Sequence, residues 1–250
     1  MGIAAALVLS LVMVPAPVAP EYAALGDSYA AGVGTGSSSG GCGRTAFAYP
    51  NLWKDAHSPA SFQFPACSGA TVGEVLERQL PTLTPETGLV TLTIGGNDIG
   101  FSDVMSTCSL KSDRACLQAV DKANTTTRDE LPAKLTQLFT ALNKAAPAAK
   151  TYVLGYPHLF EPTSCAAGLT ETKRTAINTG ADLLADVVKS ATTTAGATYI
   201  DLRTPFANHG ICSADPWLNG ITVPFEDSYH PTKQGQLAYL KALESALGER

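Results

Sequence analysis

Charged side chains are scarce in this sequence, and no run of basic residues stands out among them. Asp, Glu, Lys and Arg make up 16% of the 250 residues, and the formal net charge is −5. Because nucleic-acid-binding proteins carry a basic patch or stripe, we expect no nucleic-acid partner. Hydrophobic residues account for 45% of the chain, which excludes a disordered protein and indicates a folded domain with a sizeable core.

Beyond residue 20 the sequence also lacks an apolar stretch long enough to form a membrane helix. Residues 1–20 differ from the rest, being apolar at first and then rich in Pro and Ala, although without an initial Lys or Arg. This pattern predicts a secretory signal peptide and linker over residues 1–20, followed by one domain over residues 21–250. We therefore expect a secreted, extracellular protein with no stable membrane insertion.

The six cysteines form no CxxC pair and no Cys/His cluster with zinc spacing, so we predict no metal site. An even number of cysteines is typical of a disulfide framework in an exported protein. Six cysteines allow fifteen pairings. Because two of them bracket a short polar segment, a local bridge is expected there, and sequential order then completes the set as Cys108–Cys116, Cys42–Cys67 and Cys165–Cys212.

Apolar runs alternate with helical patterns along the chain, without internal repeats. The predicted strands are 22–26, 61–67, 89–94, 150–157 and 197–202. The predicted helices are 47–57, 71–80, 115–145 with a break or bend at Pro132, 169–196 and 230–248. Strands separated by helices favour an α/β fold with a parallel sheet and helices on both faces.

Polar or glycine residues follow several of the predicted strands. Gly26-Asp27-Ser28 ends the first, Gly69 follows the second, Asn97 follows the third, and His230 begins the last helix. Because the carboxyl ends of parallel strands share one edge, we expect these residues to converge. Taken alone, Asp27 or Ser28 could equally serve as a helix N-cap, and Asn97 could be a turn residue.

Together these residue types suit acyl transfer to a serine hydroxyl. A serine is a weak nucleophile until a neighbouring base such as imidazole takes its proton. A developing oxyanion needs N–H donors that already point towards it, and Ser28, Gly69 and Asn97 could supply them. The G-x-S-x-G signature of α/β-hydrolases is not met, because Ala30 stands at its second glycine.

The four blocks, in order along the chain, resemble those of the SGNH hydrolase superfamily, the GDSL lipases and esterases. They are "GDS", the glycine block, "GGND" and "DSYH". The similarity is strongest to secreted, three-disulfide lipases, esterases and phospholipases of actinobacteria. It implies a flavodoxin-like α/β/α sandwich with a five-stranded parallel sheet. It also implies Ser28 as nucleophile, His230 as base, and Ser28, Gly69 and Asn97 as oxyanion donors.

Two groups are candidates for the hydrogen-bond partner that orients His230. Asp227 fits the family's usual D-x-x-H acid and is the favoured prediction, whereas a main-chain carbonyl, that of Ser228, is the alternative in the secreted branch. Asp27 and Asp98 are expected to act as caps or hydrogen-bond organisers. Among the other histidines, His158 is a candidate for lining the pocket.

The sequence therefore predicts a cofactor-free serine esterase or lipase that acts as a monomer on an ester or lipid. A phospholipase A and a polysaccharide acetylesterase are alternatives within the same class. A secreted binding module that has kept the fold and lost the chemistry belongs to another class, and the intact Ser, Gly, Asn and His set argues against it.

Overall fold

In the computed structural model, which describes residues 19–36, 40–163, 165 and 169–249, five strands form a single sheet. They are β1 Glu21–Gly26, β2 Ser61–Gln63, β3 Thr87–Thr93, β4 Lys150–Leu154 and β5 Thr198–Ile200. All neighbouring pairs are parallel, in the order β2-β1-β3-β4-β5. The predicted α/β fold with a five-stranded parallel sheet is confirmed.

Eight α-helices surround this sheet within the described residues. They are α1 Ser28–Ala31, α2 Tyr49–His57, α3 Val72–Glu74, α4 Phe101–Leu110, α5 Asp113–Asp129, α6 Leu131–Ala145, α7 Glu171–Thr194 and α8 Lys233–Leu247. Helix α3 continues into a π-helical turn, Val75–Gln79, and a 3₁₀ turn, Leu80–Thr82.

Alternate residues of β1 belong to two different hydrophobic cores, one on each face of the sheet. The fold therefore has three layers, with helices on both sides of the sheet. Tyr22 belongs to the core that includes Trp53 of α2 and Tyr239 of α8. Leu25 belongs to the core that includes Leu135 of α6. Because side chains alternate across a strand, each face of the sheet is covered by its own layer of helices.

The helical region before β4 differs from the prediction in two ways. Helix α4 was not predicted, since it begins after Gly100, which has a φ of 77° and provides no side-chain cap. The break or bend predicted at Pro132 is a break two residues earlier, where two helices meet at Glu130. Pro132 lies in the first turn of α6, where its missing N–H removes no helical hydrogen bond.

All three predicted disulfides form in the structure. Cys42 pairs with Cys67, Cys108 with Cys116, and Cys165 with Cys212. The Cys108–Cys116 bridge joins α4 to α5, so it links two helices across their short connection.

The N-terminal prediction falls largely outside the described residues. Residues 1–18 of the expected signal peptide and linker are among those not described, and β1 begins at Glu21. Of the helices that the structure describes, none is both long and apolar enough to cross a membrane.

Candidate active site

Ser28 lies at the carboxyl end of β1, where the chain turns from strand to helix. Gly26 has a φ of 127°, and a Cβ there would lie 2.3 Å from the Thr93 carbonyl oxygen, so only glycine fits. The Asp27 carboxylate caps α1 by accepting from the Tyr29 N–H at 3.0 Å. Gly26 and Asp27 therefore form the turn, and Ser28 becomes the first residue of the helix.

His230 comes from the other end of the chain and meets Ser28. Its Nε2 lies 2.8 Å from the Ser28 Oγ. The Tyr29 hydroxyl donates to the Tyr229 carbonyl at 2.7 Å, and this bond holds the segment that carries His230 against α1. The predicted pairing of serine and imidazole is thus present as a hydrogen bond.

The prediction that Asp227 contacts the other imidazole nitrogen is wrong. Nδ1 of His230 lies 2.9 Å from the Ser228 carbonyl oxygen, which was the alternative. The Asp227 carboxylate instead accepts from the Gly34 N–H at 3.0 Å. Tyr229 has a φ of 63°, and this turn between Ser228 and His230 brings the carbonyl back towards the ring.

Burial controls the protonation of this imidazole. Desolvation lowers the pKa of His230 to about 4, although the Ser228 carbonyl and the nearby Asp227 carboxylate favour the charged form. The imidazole is therefore neutral around pH 7 and able to accept a proton.

The two other blocks lie beside Ser28 through backbone contacts. The Cys67 N–H donates to the Gly26 carbonyl at 3.0 Å, and the Asn97 amide donates to the Ala70 carbonyl at 3.0 Å. An asparagine amide carries two N–H groups, so a second one is available. Gly69 is exposed with a φ of 81° and has open space where a Cβ would be.

Tyr156 completes the site and was not singled out from the sequence. Its hydroxyl donates to the Asp27 carboxylate and accepts from the Gly96 N–H at 3.1 Å. It thereby connects the serine block to the block that carries Asn97. Burial raises the pKa of Asp27 to about 7 despite these hydrogen bonds.

Of the remaining residues with a predicted supporting role, Asp98 has that role in the structure and His158 does not. Asp98 accepts from the Val72 N–H at 3.0 Å, as expected of a cap. His158, however, pairs with Asp182 at 2.7 Å and lines a polar groove rather than the apolar cavity at Ser28. His158 was expected in the pocket only because it follows Tyr156 and Pro157, which do line that cavity.

Comparison with known proteins identifies this arrangement. The family described as GDSL-like Lipase/Acylhydrolase matches residues 24–238. The chain belongs to this family.

Its relatives among curated proteins include a lipase of Streptomyces rimosus, 47% identical over 240 residues, which are 94% of this chain and 90% of that protein. Lipase 1 of Streptomyces coelicolor is 46% identical over 233 residues, 91% of this chain and 87% of that protein. The chain is thus a carboxylic ester hydrolase of the GDSL type.

Two similar solved structures share the fold over most of this chain. Phospholipase A1 from Streptomyces albidoflavus superimposes with a TM-score of 0.89 at 47% identity, covering 91% of this chain and 99% of that one. An extracellular lipase from Streptomyces rimosus has the same TM-score at 46% identity, covering 91% of this chain and 100% of that one.

In this GDSL protein an apolar cavity opens directly beside Ser28. Its walls come from α4, α5 and α7 and from the segments after β3 and β4, and they include Phe101, Met105, Leu159, Ile177 and Leu184. Helix α4, which sequence reasoning missed, therefore contributes part of the apolar lining, through Phe101, Val104 and Met105.

Proposed function

We propose that this GDSL hydrolase is a secreted serine lipase that forms an acyl-enzyme on Ser28. The observation that carries the proposal is the 2.8 Å contact between Ser28 Oγ and His230 Nε2 at the mouth of an apolar cavity. His230 takes the proton as Ser28 Oγ attacks the ester carbonyl, and it then gives that proton to the leaving alcohol. Water resolves the acyl-enzyme with His230 again as base.

The charge that develops in this reaction has partners on the protein. We assign the N–H groups of Ser28 and Gly69 and the free N–H of the Asn97 amide to the oxyanion. The Ser228 carbonyl, 2.9 Å from Nδ1, accepts a hydrogen bond from the Nδ1–H, sets the tautomer that leaves Nε2 free as a base, and stabilises the imidazolium. In this proposal Asp227 supports the loop and is not a third catalytic residue, and the reaction needs no cofactor.

The apolar lining of the cavity favours a hydrocarbon acyl group larger than acetyl. An acetyl group would leave most of that lining without contact, which speaks against a polysaccharide acetylesterase. A phospholipase A is the second candidate, because the similar solved structure from Streptomyces albidoflavus is a phospholipase A1. Both candidates place a fatty acyl chain in the same cavity and differ only in the group that leaves.

Secretion is supported by the three disulfides, which persist in oxidising compartments. It is supported further by the relation to an extracellular lipase at 46% identity.

Replacing Ser28 with Ala tests the proposal. We expect ester hydrolysis and labelling by a fluorophosphonate to be lost, with kcat lower by more than about a thousandfold. Ser190→Ala, at an exposed position of α7, is the matched control and should behave as wild type. A panel of nitrophenyl esters, triglycerides and phosphatidylcholine then separates lipase from phospholipase A. Retention of labelling in the Ser28 variant would contradict the assignment of the nucleophile.

A further inference from the structure

An unusually exposed apolar loop lies shortly before His230 in the chain, separated from it by residues 226–229. Ile221, Val223 and Phe225 are 58%, 95% and 58% exposed, so three large apolar side chains stand in water within five residues. Single exposed hydrophobic residues need no explanation, whereas a contiguous apolar patch marks an interaction surface. We propose that residues 221–225, the 221–225 loop, anchor the enzyme in the surface of a zwitterionic phospholipid aggregate. This inference rests on the proposed lipase function.

The 221–225 loop is held in place by hydrogen bonds at its base. The Asn219 N–H donates to the His230 carbonyl at 2.9 Å, and the Tyr229 N–H donates to the Asn219 carbonyl at 3.0 Å. The Asn219 amide also reaches the Gly34 carbonyl at 2.8 Å. Within the loop, the Thr222 N–H donates to the Ser228 hydroxyl at 3.0 Å.

These contacts join the loop to Ser228 and to His230, the residue that carries the reacting imidazole. Ser228 supplies the carbonyl at Nδ1, and His230 supplies the ring. A surface that receives the loop is therefore held beside the site, which shortens the path of an ester from the aggregate to Ser28.

Charge favours a zwitterionic surface over an anionic one. No Lys or Arg occurs between Arg203 and Lys233, whereas Asp215, Glu226 and Asp227 do. Attraction to anionic lipid depends on clustered basic residues near the surface, and the chain as a whole has a net charge of −5. The loop can therefore contribute to membrane binding by inserting its apolar side chains into the lipid surface.

A second copy of the chain fits these observations less well. A stable protein interface buries on the order of 1,000 Å² or more, and three side chains in one short loop offer only a small part of that area. A membrane surface needs no such extent, because each inserted apolar group adds its own transfer free energy.

The test compares lipid binding with hydrolysis of a soluble ester. The variant combines Ile221→Ser, Val223→Ser and Phe225→Ser, and its control is Leu237→Ser, at a 36% exposed position of α8. Binding to phosphatidylcholine vesicles is measured by sedimentation in a Ser28→Ala background, so that the lipid is not consumed. Hydrolysis of phosphatidylcholine vesicles and of nitrophenyl butyrate below its solubility limit is measured with Ser28 intact.

We expect the triple variant to bind vesicles at least about tenfold more weakly, as the loss of one inserted side chain already predicts. Vesicle hydrolysis should fall to a similar extent, while kcat/KM on the soluble ester stays within about twofold. That unchanged value also shows that the variant is folded. Val223→Trp should bind more tightly than wild type, because indole prefers the lipid–water interface.

Equal vesicle binding by wild type and the triple variant would overturn the inference. So would a wild-type dimer in light scattering that the triple variant abolishes, since the loop would then contact a second copy. Failure of the proposed function looks different: wild type itself would leave both the soluble ester and the vesicles intact.

Discussion

Replacing Asp227 with Asn separates a carboxylate-assisted mechanism from one in which a backbone carbonyl orients His230. The carboxylate accepts from the Gly34 N–H at 3.0 Å, and the amide oxygen of Asn can accept the same bond. The Ser228 carbonyl at Nδ1 belongs to the main chain and survives the substitution. The charge is therefore removed while the shape and the imidazole contact remain.

We expect only a small effect on kcat, because the Asp227 carboxylate bonds to the Gly34 N–H and the Ser228 carbonyl lies at Nδ1. Asp227 acts on His230 by favouring the imidazolium through its charge, and one pKa unit corresponds to 1.36 kcal/mol, about a tenfold change in rate. We therefore expect kcat to fall by less than about tenfold. Loss of a directly bonded carboxylate in a serine protease triad costs about 10⁴, so the two mechanisms predict clearly different results.

The assay is steady-state hydrolysis of a soluble nitrophenyl ester, with Ser28→Ala defining the background. Thermal unfolding of each variant accompanies the kinetics, because Asp227→Ala leaves the buried Gly34 N–H without its acceptor at a cost of about 1–3 kcal/mol. Asp227→Asn should unfold close to wild type. A fall in kcat of more than about a hundredfold in folded Asp227→Asn would refute the reasoning and restore Asp227 as the partner of Nδ1.

Three further predictions follow from the same site. Asn97→Ala should lower kcat by about 10²–10³ with little change in KM, as expected for one lost oxyanion donor; an effect confined to KM would contradict that role. Because burial lowers the pKa of His230 to about 4, the acid limb of the kcat/KM profile should lie well below pH 6.5, and a limb near pH 6.5 would show that the base is solvated. Asp27 has its pKa raised to about 7 in the folded protein, against about 4 when unfolded. The native state therefore binds the extra proton between these values, and the free energy of unfolding should fall by about 4 kcal/mol as pH rises from 4 to 7. Asp27→Asn should flatten this dependence in denaturant titrations, and an unchanged slope would place its origin elsewhere.

Much of the site could be predicted because parallel sheets place the carboxyl ends of their strands at one edge. Ser28, Gly69 and Asn97 each follow an apolar run, so their convergence depends only on recognising the strands. The pairing of the six cysteines could be predicted because Cys108 and Cys116 lie close together in the chain and the other four pair in sequential order. Tyr156 could not be found in this way, since its hydrogen bond to Asp27 joins residues 129 positions apart.

The sequence by itself thus determined the fold class of this GDSL hydrolase, because periodicity is a local property, and its four motif blocks indicated the pairing of Ser28 with His230. The tertiary structure alone decided what faces Nδ1 of His230. "DSYH" presents both an acid and a carbonyl at suitable spacing, and the φ of 63° at Tyr229 turns the Ser228 carbonyl towards the ring. The Asp227 carboxylate is meanwhile held by the N–H of Gly34, 193 residues away in the chain. No local sequence pattern encodes that partner, because a carboxylate accepts a hydrogen bond from whichever donor the folded chain places beside it.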